Sequence, residues 1–275
     1  MRTRFPRIIE AVYSRPWLIR PEQHRAIQRL LESRLAADMP MPPPGQEDKE
    51  DFSEPMPMGD ALVIPVYGIL GHHLGMMEML CGGCSVDIVG QHIEAAQGDS
   101  SIGRIILDLD SPGGTVTGIP ELGDRIAASA KPVYAFTSGQ CCSGAYWLAS
   151  QARLIYATQT AELGSIGVYS VHFDHSRELA NAGVLVTTIQ AGTWKTMGAP
   201  WKPLTDAEKA KLQEEVDSIY GMFKTAVSVR PIDFDDMQGQ TFLGQSAVEH
   251  GLADGLIESV EAVVQLTETQ PRKKL

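Results

Sequence analysis

From Ala61 onward, short apolar runs alternate with stretches whose apolar residues recur at helical spacing, and few folds admit that pattern. Leu62–Tyr67 is apolar and partly β-branched. Val86–Gln97 carries Val86, Val89, Ile93 and Ala96 on one helical stripe, and Arg104–Asp108 reads as a buried strand. The spacing then predicts a helix over Glu121–Ser129, a strand over Pro132–Thr137, a helix over Gly144–Ser150, and strands over Leu154–Ala157 and Val168–Phe173. A short helix Ser176–Asn181, a strand Val184–Ile189 and a long helix from Asp206 to about Val227 follow. Thr205 and Glu208 open the long helix in capping-box spacing, and Leu212, Val216, Ile219, Tyr220, Phe223 and Val227 form its inner stripe. Strand–helix alternation of this kind implies an α/β domain with a largely parallel sheet covered by helices.

The first 59 residues differ in character. Residues 1–37 form an N-terminal helical arm, with a helix from Pro21 to about Ala36 that places Ile27, Leu30, Leu31 and Leu35 on one stripe. Residues 38–59 hold six prolines and six acids with hardly a β-branched residue, too little apolar surface to offset the entropy of ordering, and read as an extended linker. The domain division is therefore arm 1–37, linker 38–59, one α/β domain over 60–262, and a tail over 263–275.

Composition excludes several classes. The formal net charge of -11, from 34 acidic against 23 basic residues, argues against a nucleic-acid binder, which needs clustered Lys and Arg to displace counterions. Nothing approaches the roughly 20 apolar residues that cross a bilayer, so no membrane partner is expected and the chain reads as cytoplasmic. Cys81-Gly-Gly-Cys84 has the spacing of half a zinc site, but the second ligand pair is missing and His72-His73 are adjacent rather than offset. No metal and no cofactor are expected.

Three Gly-rich junctions can carry chemistry. Asp110-Ser111-Pro112-Gly113-Gly114 follows a predicted strand, where glycines let backbone N–H groups turn outward as an oxyanion hole requires. Gly139-Gln140-Cys141-Cys142-Ser143-Gly144-Ala145-Tyr146 places a serine at the entry to a helix, where the macrodipole favours developing negative charge. Gly164-Ser165-Ile166-Gly167-Val168 is a third compact loop. Each alone is equally a tight turn or an ordinary helix cap.

Taken in order, Ser-Pro-Gly-Gly, Ser-Gly-Ala-Tyr and Gly-Ser-Ile-Gly-Val, then Ala191-Gly192-Thr193-Trp194-Lys195-Thr196-Met197-Gly198-Ala199-Pro200, resemble the signal peptide peptidase A family of serine peptidases. Gly239–Ala247 and Gly251-Leu252-Ala253-Asp254-Gly255 look like its closing segment, so the resemblance covers about residues 60–262. It implies a ClpP/crotonase-like fold and a serine endopeptidase acting through an acyl-enzyme. Carried over residue by residue, it implies Ser143 as nucleophile, Lys195 as general base, and Ser165 as the serine that hydrogen-bonds the lysine. It also implies oxyanion donors at the amides of Gly113, Gly114 and Gly144. Cys141-Cys142 departs from the small residues usual before the nucleophile and puts selective chemical labelling in doubt.

The chemistry is coherent without the family. A serine hydroxyl needs a base to take its proton during attack, and no His–Asp arrangement presents itself among His72, His73, His92, His172 and His175. A lysine serves only if desolvation lowers its pKa from about 10.4 toward neutrality, a shift of about 4 kcal/mol. Trp194, Met197, Pro200 and Trp201 predict an apolar pocket for Lys195. The region around Tyr13–Ile19, the following helix and the Pro-rich linker look like the capsid assembly proteases of tailed phages and prophages. That resemblance implies protein substrates, with scaffold, portal and capsid proteins as partners, self-processing, and a homo-oligomer. Residues 1–59 are then a removable pro-segment, a docking arm, or both. A cytoplasmic signal-peptide-peptidase-like protease is the alternative within the class, and a non-catalytic assembly protein retaining the fold the alternative outside it.

Overall fold

The computed structural model describes residues 16–19, 24, 25, 29, 54–74, 79 and 82–268. Most of the expected arm helix, linker residues 38–53 and tail residues 269–275 lie outside the described residues. In chain order the elements are β1 (Trp17–Ile19), β2 (Met56–Met58), β3 (Ala61–Tyr67), β4 (Ile69–Gly71), β5 (Gly83–Ser85), α1 (Val86–Gly98), β6 (Arg104–Ser111), β7 (Gly113–Thr115) and α2 (Ile119–Ala127). They continue as β8 (Val133–Cys142), α3 (Gly144–Ser150), β9 (Ile155–Ala157), β10 (Glu162–Gly164), α4 (Ser176–Asn181), α5 (Asp206–Val227), β11 (Thr241–Leu243), α6 (Gly244–Glu249), β12 (Gly255–Leu256) and α7 (Val260–Glu268).

The main sheet runs β11-β10-β8-β6-β3-β2, with β9 also paired to β8 and β12 to β9. β3, β6, β8, β9 and β10 pair in parallel, and only the edge partners β2 and β11 are antiparallel. The period of two sorts its side chains. Ile105, Leu107 and Leu109 of β6 join Ile64, Val66, Val133 and Ala135 in the larger core beneath the helices, whereas Ile106 joins Val63, Tyr134, Phe136 and Val263 of α7 on the other face. Both faces are thus covered, as a parallel sheet requires. The central strands β3 and β6 run on, after one residue each, into β4 and β7 of a second sheet ordered β1-β7-β4-β5. That small sheet stands at the end of the main sheet where β8 hands over to α3.

The expected α/β architecture is the observed one. β8 runs to Cys142, five residues past the predicted end, and β6 to Ser111. Two predicted strands are absent. Of Val168–Phe173 only Tyr169 makes a bridge, to Trp17, and Val184–Ile189 has no ladder partner, with Leu185 and Ile189 about 90% and 97% exposed. Strand propensity describes a side chain that suits a pleated surface, and without a neighbouring strand it produces none. The long helix starts as predicted: Glu208 donates its N–H to Thr205 Oγ1 (3.2 Å) while Thr205 donates its own to Glu208 Oε2 (2.9 Å). The Lys202 ammonium beside Glu208, helped by the Thr205 amide, holds the Glu208 carboxyl down at about 2. Phe223 and Val227 are buried as expected, but Leu212, Val216, Ile219 and Tyr220 are only half-buried.

One buried carboxyl gives the fold a testable pH dependence. Asp108 of β6 faces the smaller core and accepts a hydrogen bond from the Tyr67 hydroxyl. Burial pushes its carboxyl up; the Tyr67 hydrogen bond opposes that, and Asp110 and Glu261 reinforce it. A carboxyl raised in the folded state stabilises the fold when protonated. That contribution is complete below the unfolded value near about 3.9 and is lost as pH rises through the folded one. Asp108→Asn keeps an acceptor for Tyr67 without the charge, so its thermal midpoint should gain on the parent's as pH rises above about 4 and level off once the folded carboxyl has ionised. A difference independent of pH would contradict this reading.

Candidate active site

Ser143 sits where β8 ends and α3 begins, with φ 55° and ψ −120°. This backbone region is costly for a residue with a Cβ, by about 1–3 kcal/mol, and persists only where surroundings impose it. Here the Ser143 N–H donates to the Gly164 carbonyl at 2.8 Å, and its own carbonyl accepts from Trp147 N–H at 3.0 Å. The residue is 1% exposed, and its hydroxyl has no hydrogen-bond partner among the described residues.

The parallel register of β8 and β10 pairs Cys142 with Gly164, so the residues that follow, Ser143 and Ser165, emerge side by side from one end of the sheet. Ser165 also has a positive φ, 53°, and is held by donation of its N–H to the Gln240 carbonyl at 2.7 Å. Three expected donors gather at the same end. Gly144 N lies 3.0 Å from where a Cβ on Gly113 would be, so the two residues touch. A Cβ on Gly114 would fall 1.9 Å from the Leu70 carbonyl oxygen, which leaves glycine as the only residue that fits between β4 and β1. Gly113 donates its N–H to Ser111 Oγ at 3.2 Å, whereas the Gly144 N–H, the first of α3, has no acceptor among the described residues.

The structure does not bring Lys195 into this group. Its side chain is exposed and makes no hydrogen bond or ion pair among the described residues; its N–H closes a turn onto the Gly192 carbonyl at 3.2 Å. The apolar pocket expected around it is not formed, since Trp194 and Trp201 are 46% and 38% exposed. The aromatics adjoin the lysine in sequence, but residues 191–201 form a run of turns that leaves Trp194, Lys195 and Trp201 exposed and buries only Ala199.

Other side chains near the motifs behave differently from expectation. Cys141 and Cys142 are fully buried, and burial pushes the Cys141 thiol far up; Cys84 is pushed up to about 12, again by burial, with a backbone hydrogen bond opposing. Cys141 and Cys142 are therefore inert thiols rather than competitors for a labelling reagent, whereas Cys84 is half-buried. Cys81 lies outside the described residues. A His–Asp arrangement that the spacing did not reveal is present: His72 Nδ1 lies 3.0 Å and His73 Nδ1 3.4 Å from the Asp87 carboxylate, with His73 at φ 52°. Strand β4 delivers the two imidazoles and the first turn of α1 the carboxylate, which separates them by fourteen residues or more in sequence. His250 likewise pairs with Asp236 at 2.8 Å. No hydrogen bond or ion pair joins either cluster to Ser143 among the described residues.

A strained serine between a strand and a helix, beside a second serine and stacked glycine amides, defines a site suited to nucleophilic attack on a carbonyl. The model of peptidase family S49 matches residues 125–272, a span that includes Ser143, Ser165 and Lys195, and the chain belongs to that family. It is 32% identical over 290 residues to the head-tail preconnector protein GP5 of Enterobacteria phage P21, covering 96% of this chain and 57% of that one. It is also 32% identical over 225 residues to capsid assembly protease C of Escherichia phage lambda, covering 79% and 51%. The chain thus spans about half the length of these relatives. Among solved structures, an enoyl-CoA hydratase/isomerase family protein from Silicibacter pomeroyi aligns with a TM-score of 0.45 at 12% identity, covering 78% of this chain and 79% of that one.

The buried thiols give a direct check of this end of the molecule. Native protein treated with iodoacetamide at pH 8 should show Cys141 and Cys142 unmodified on peptide mapping, and both modified once denatured. Rapid native labelling of Cys141 would contradict the packing behind Ser143.

Proposed function

We propose that the chain is a serine endopeptidase in which Ser143 attacks the substrate carbonyl and Lys195 is the general base. The observation that carries this reading is the imposed backbone of Ser143. A positive φ at a non-glycine residue is costly and is imposed here by the strand end, and Ser143 directly precedes the first amide of α3 and lies at the strand end beside that of Ser165. Membership of peptidase family S49 supports it.

The steps follow from the groups named. The Ser143 proton passes to the uncharged Lys195 amine as Oγ bonds to the carbonyl carbon, and the Gly113, Gly114 and Gly144 amides take the oxyanion. The C–N bond then breaks, the lysine returns the proton to the departing amine, and a water repeats the sequence to release the acid. Ser165 orients the amine. Lys195 can play this part only when stripped of water, so the segment around it has to dock against a Ser143 cleft, its own or that of a neighbouring copy. The exposed Leu185, Ile189 and Trp194 on the same segment supply an apolar face for such docking, and self-association of the chain fits them.

The substrates we infer are proteins of a phage or prophage head, scaffold and portal among them, and the chain itself; the relatives from phages P21 and lambda, named for head–tail connection and capsid assembly, support that setting. No helix among the described residues is long and apolar enough to cross a membrane.

Ser143→Ala and Lys195→Ala should each lower hydrolysis of a denatured protein by roughly a thousandfold or more. Thermal midpoints should stay close to the parent's, because the Lys195 side chain is exposed and Ser143→Ala removes only a hydroxyl without a hydrogen bond among the described residues. Full activity in Ser143→Ala would remove the nucleophile, and full activity in Lys195→Ala would remove the base.

A further inference from the structure

The residues expected to belong to a helical arm supply a strand at the heart of the candidate site. Trp17, Leu18 and Ile19 lie antiparallel along β7, with Leu18 opposite Gly114, and are 3%, 0% and 2% exposed. On the opposite side Trp17 donates its N–H to the Tyr169 carbonyl at 2.9 Å and accepts from the Tyr169 N–H at 3.3 Å. Tyr169 is four residues beyond Ser165. The segment is therefore strung between the strand that carries Gly113 and the stretch that follows Ser165.

Its register decides what meets the serine. Backbone polar groups alternate sides along a strand, so with those of Trp17 engaged by Tyr169, those of Leu18 face β7. The Leu18 carbonyl oxygen comes within 2.0 Å of where a Cβ on Gly113 would begin, and Gly144 N lies 3.0 Å from that same point. The carbonyl of Leu18 is thus directed into the corner formed by Gly113 and Gly144, next to Ser143. The Leu18 side chain enters the main core beside Gly144 and Ile119: both Leu18 Cβ and Ile119 Cδ1 lie 3.5 Å from where a Cβ on Gly144 would be. Beside Pro16, a cavity of about 350 Å³ is lined by Pro16, Thr115, Ser170, Leu212 and Ile219. Past Ile19, the buried His24 anchors the segment, with Nδ1 2.8 Å from the Tyr169 hydroxyl and its ring 5.0 Å from that of Trp17.

An extended peptide paired by its backbone on both edges, with one carbonyl beside a nucleophile and one side chain in a dry pocket, is bound as a strand-addition ligand is bound. We propose that the groove between β7 and Tyr169 is the peptide-binding site, and that Pro16–Ile19 occupies it as a tethered competitor whose Leu18 fills the pocket that selects an apolar side chain. The proposal rests on the peptidase reading above. A substrate must displace a segment held at an effective concentration of about millimolar, so the chain restrains its own activity until that strand is drawn out.

A binding measurement tests this apart from catalysis. The full-length chain carrying Ser143→Ala is titrated into a fluorescein-labelled peptide Ser14-Arg15-Pro16-Trp17-Leu18-Ile19-Arg20-Pro21, alone and combined with Leu18→Ala or Leu18→Asp, with folding verified by circular dichroism. Weakening the tethered strand should tighten peptide binding by roughly tenfold or more, and a peptide with aspartate at the Leu18 position should bind none of the proteins. Equal affinities in folded proteins, or equal binding of the aspartate peptide, would overturn the proposal. If both Leu18 variants fail to fold, hydrogen exchange on full-length Ser143→Ala decides: saturating peptide should speed exchange at residues 17–19, and unchanged exchange there would overturn it. Hydrolysis persisting in Ser143→Ala would count against the nucleophile and leave the groove result standing.

Discussion

The hydrogen bond from the Ser143 amide to the Gly164 carbonyl holds the candidate site together. It ties the end of β8 to the end of β10, and with the turn into α3 it keeps Ser143 in a backbone conformation that a residue with a Cβ otherwise avoids. The parallel register of those two strands then sets Ser165 beside Ser143, and the continuation of β6 into β7 sets Gly113 against Gly144. Each neighbour is placed by a strand end rather than by a loop, so the geometry inherits the stiffness of a sheet buried on both faces.

The lysine is arranged on the opposite principle. It stands on a segment without strand partners, among aromatics that solvent still reaches, and only docking can dry it. In the mechanism proposed above, a rigid nucleophile combined with a base that must be delivered makes activity conditional on docking of that segment. Under the proposal that Trp17–Ile19 occupies the peptide groove, β1 adds a second condition, since it lies paired between β7 and Tyr169.

Much of this was legible in the sequence where pattern and physics coincide. The alternation of periods two and 3.6 announced the sheet and its helices. Thr205 and Glu208 announced the start of α5, and glycines after predicted strands announced the backbone turns at Gly113 and Gly144. What escaped had no periodic signal. β1, β5 and β10 are three residues long, too short for an alternation to be read, and β1 exists only because Gly113, Gly114 and Tyr169 offer it edges. Val184–Ile189 had the composition of a strand and no neighbour. The pocket foreseen around Lys195 failed because adjacency in sequence does not make side chains face one another, and the His72–His73–Asp87 cluster was hidden because its members come from two elements.

The central claim is that one hydroxyl and one uncharged amine meet in a dry cleft. An experimental structure of the assembled, active protein with a peptide in the groove measures that directly. The account predicts a lysine amine, that of Lys195 from the same or a neighbouring copy, within about 2.6–3.2 Å of Ser143 Oγ and shielded from solvent. An active assembly in which every Lys195 still points into water would contradict it.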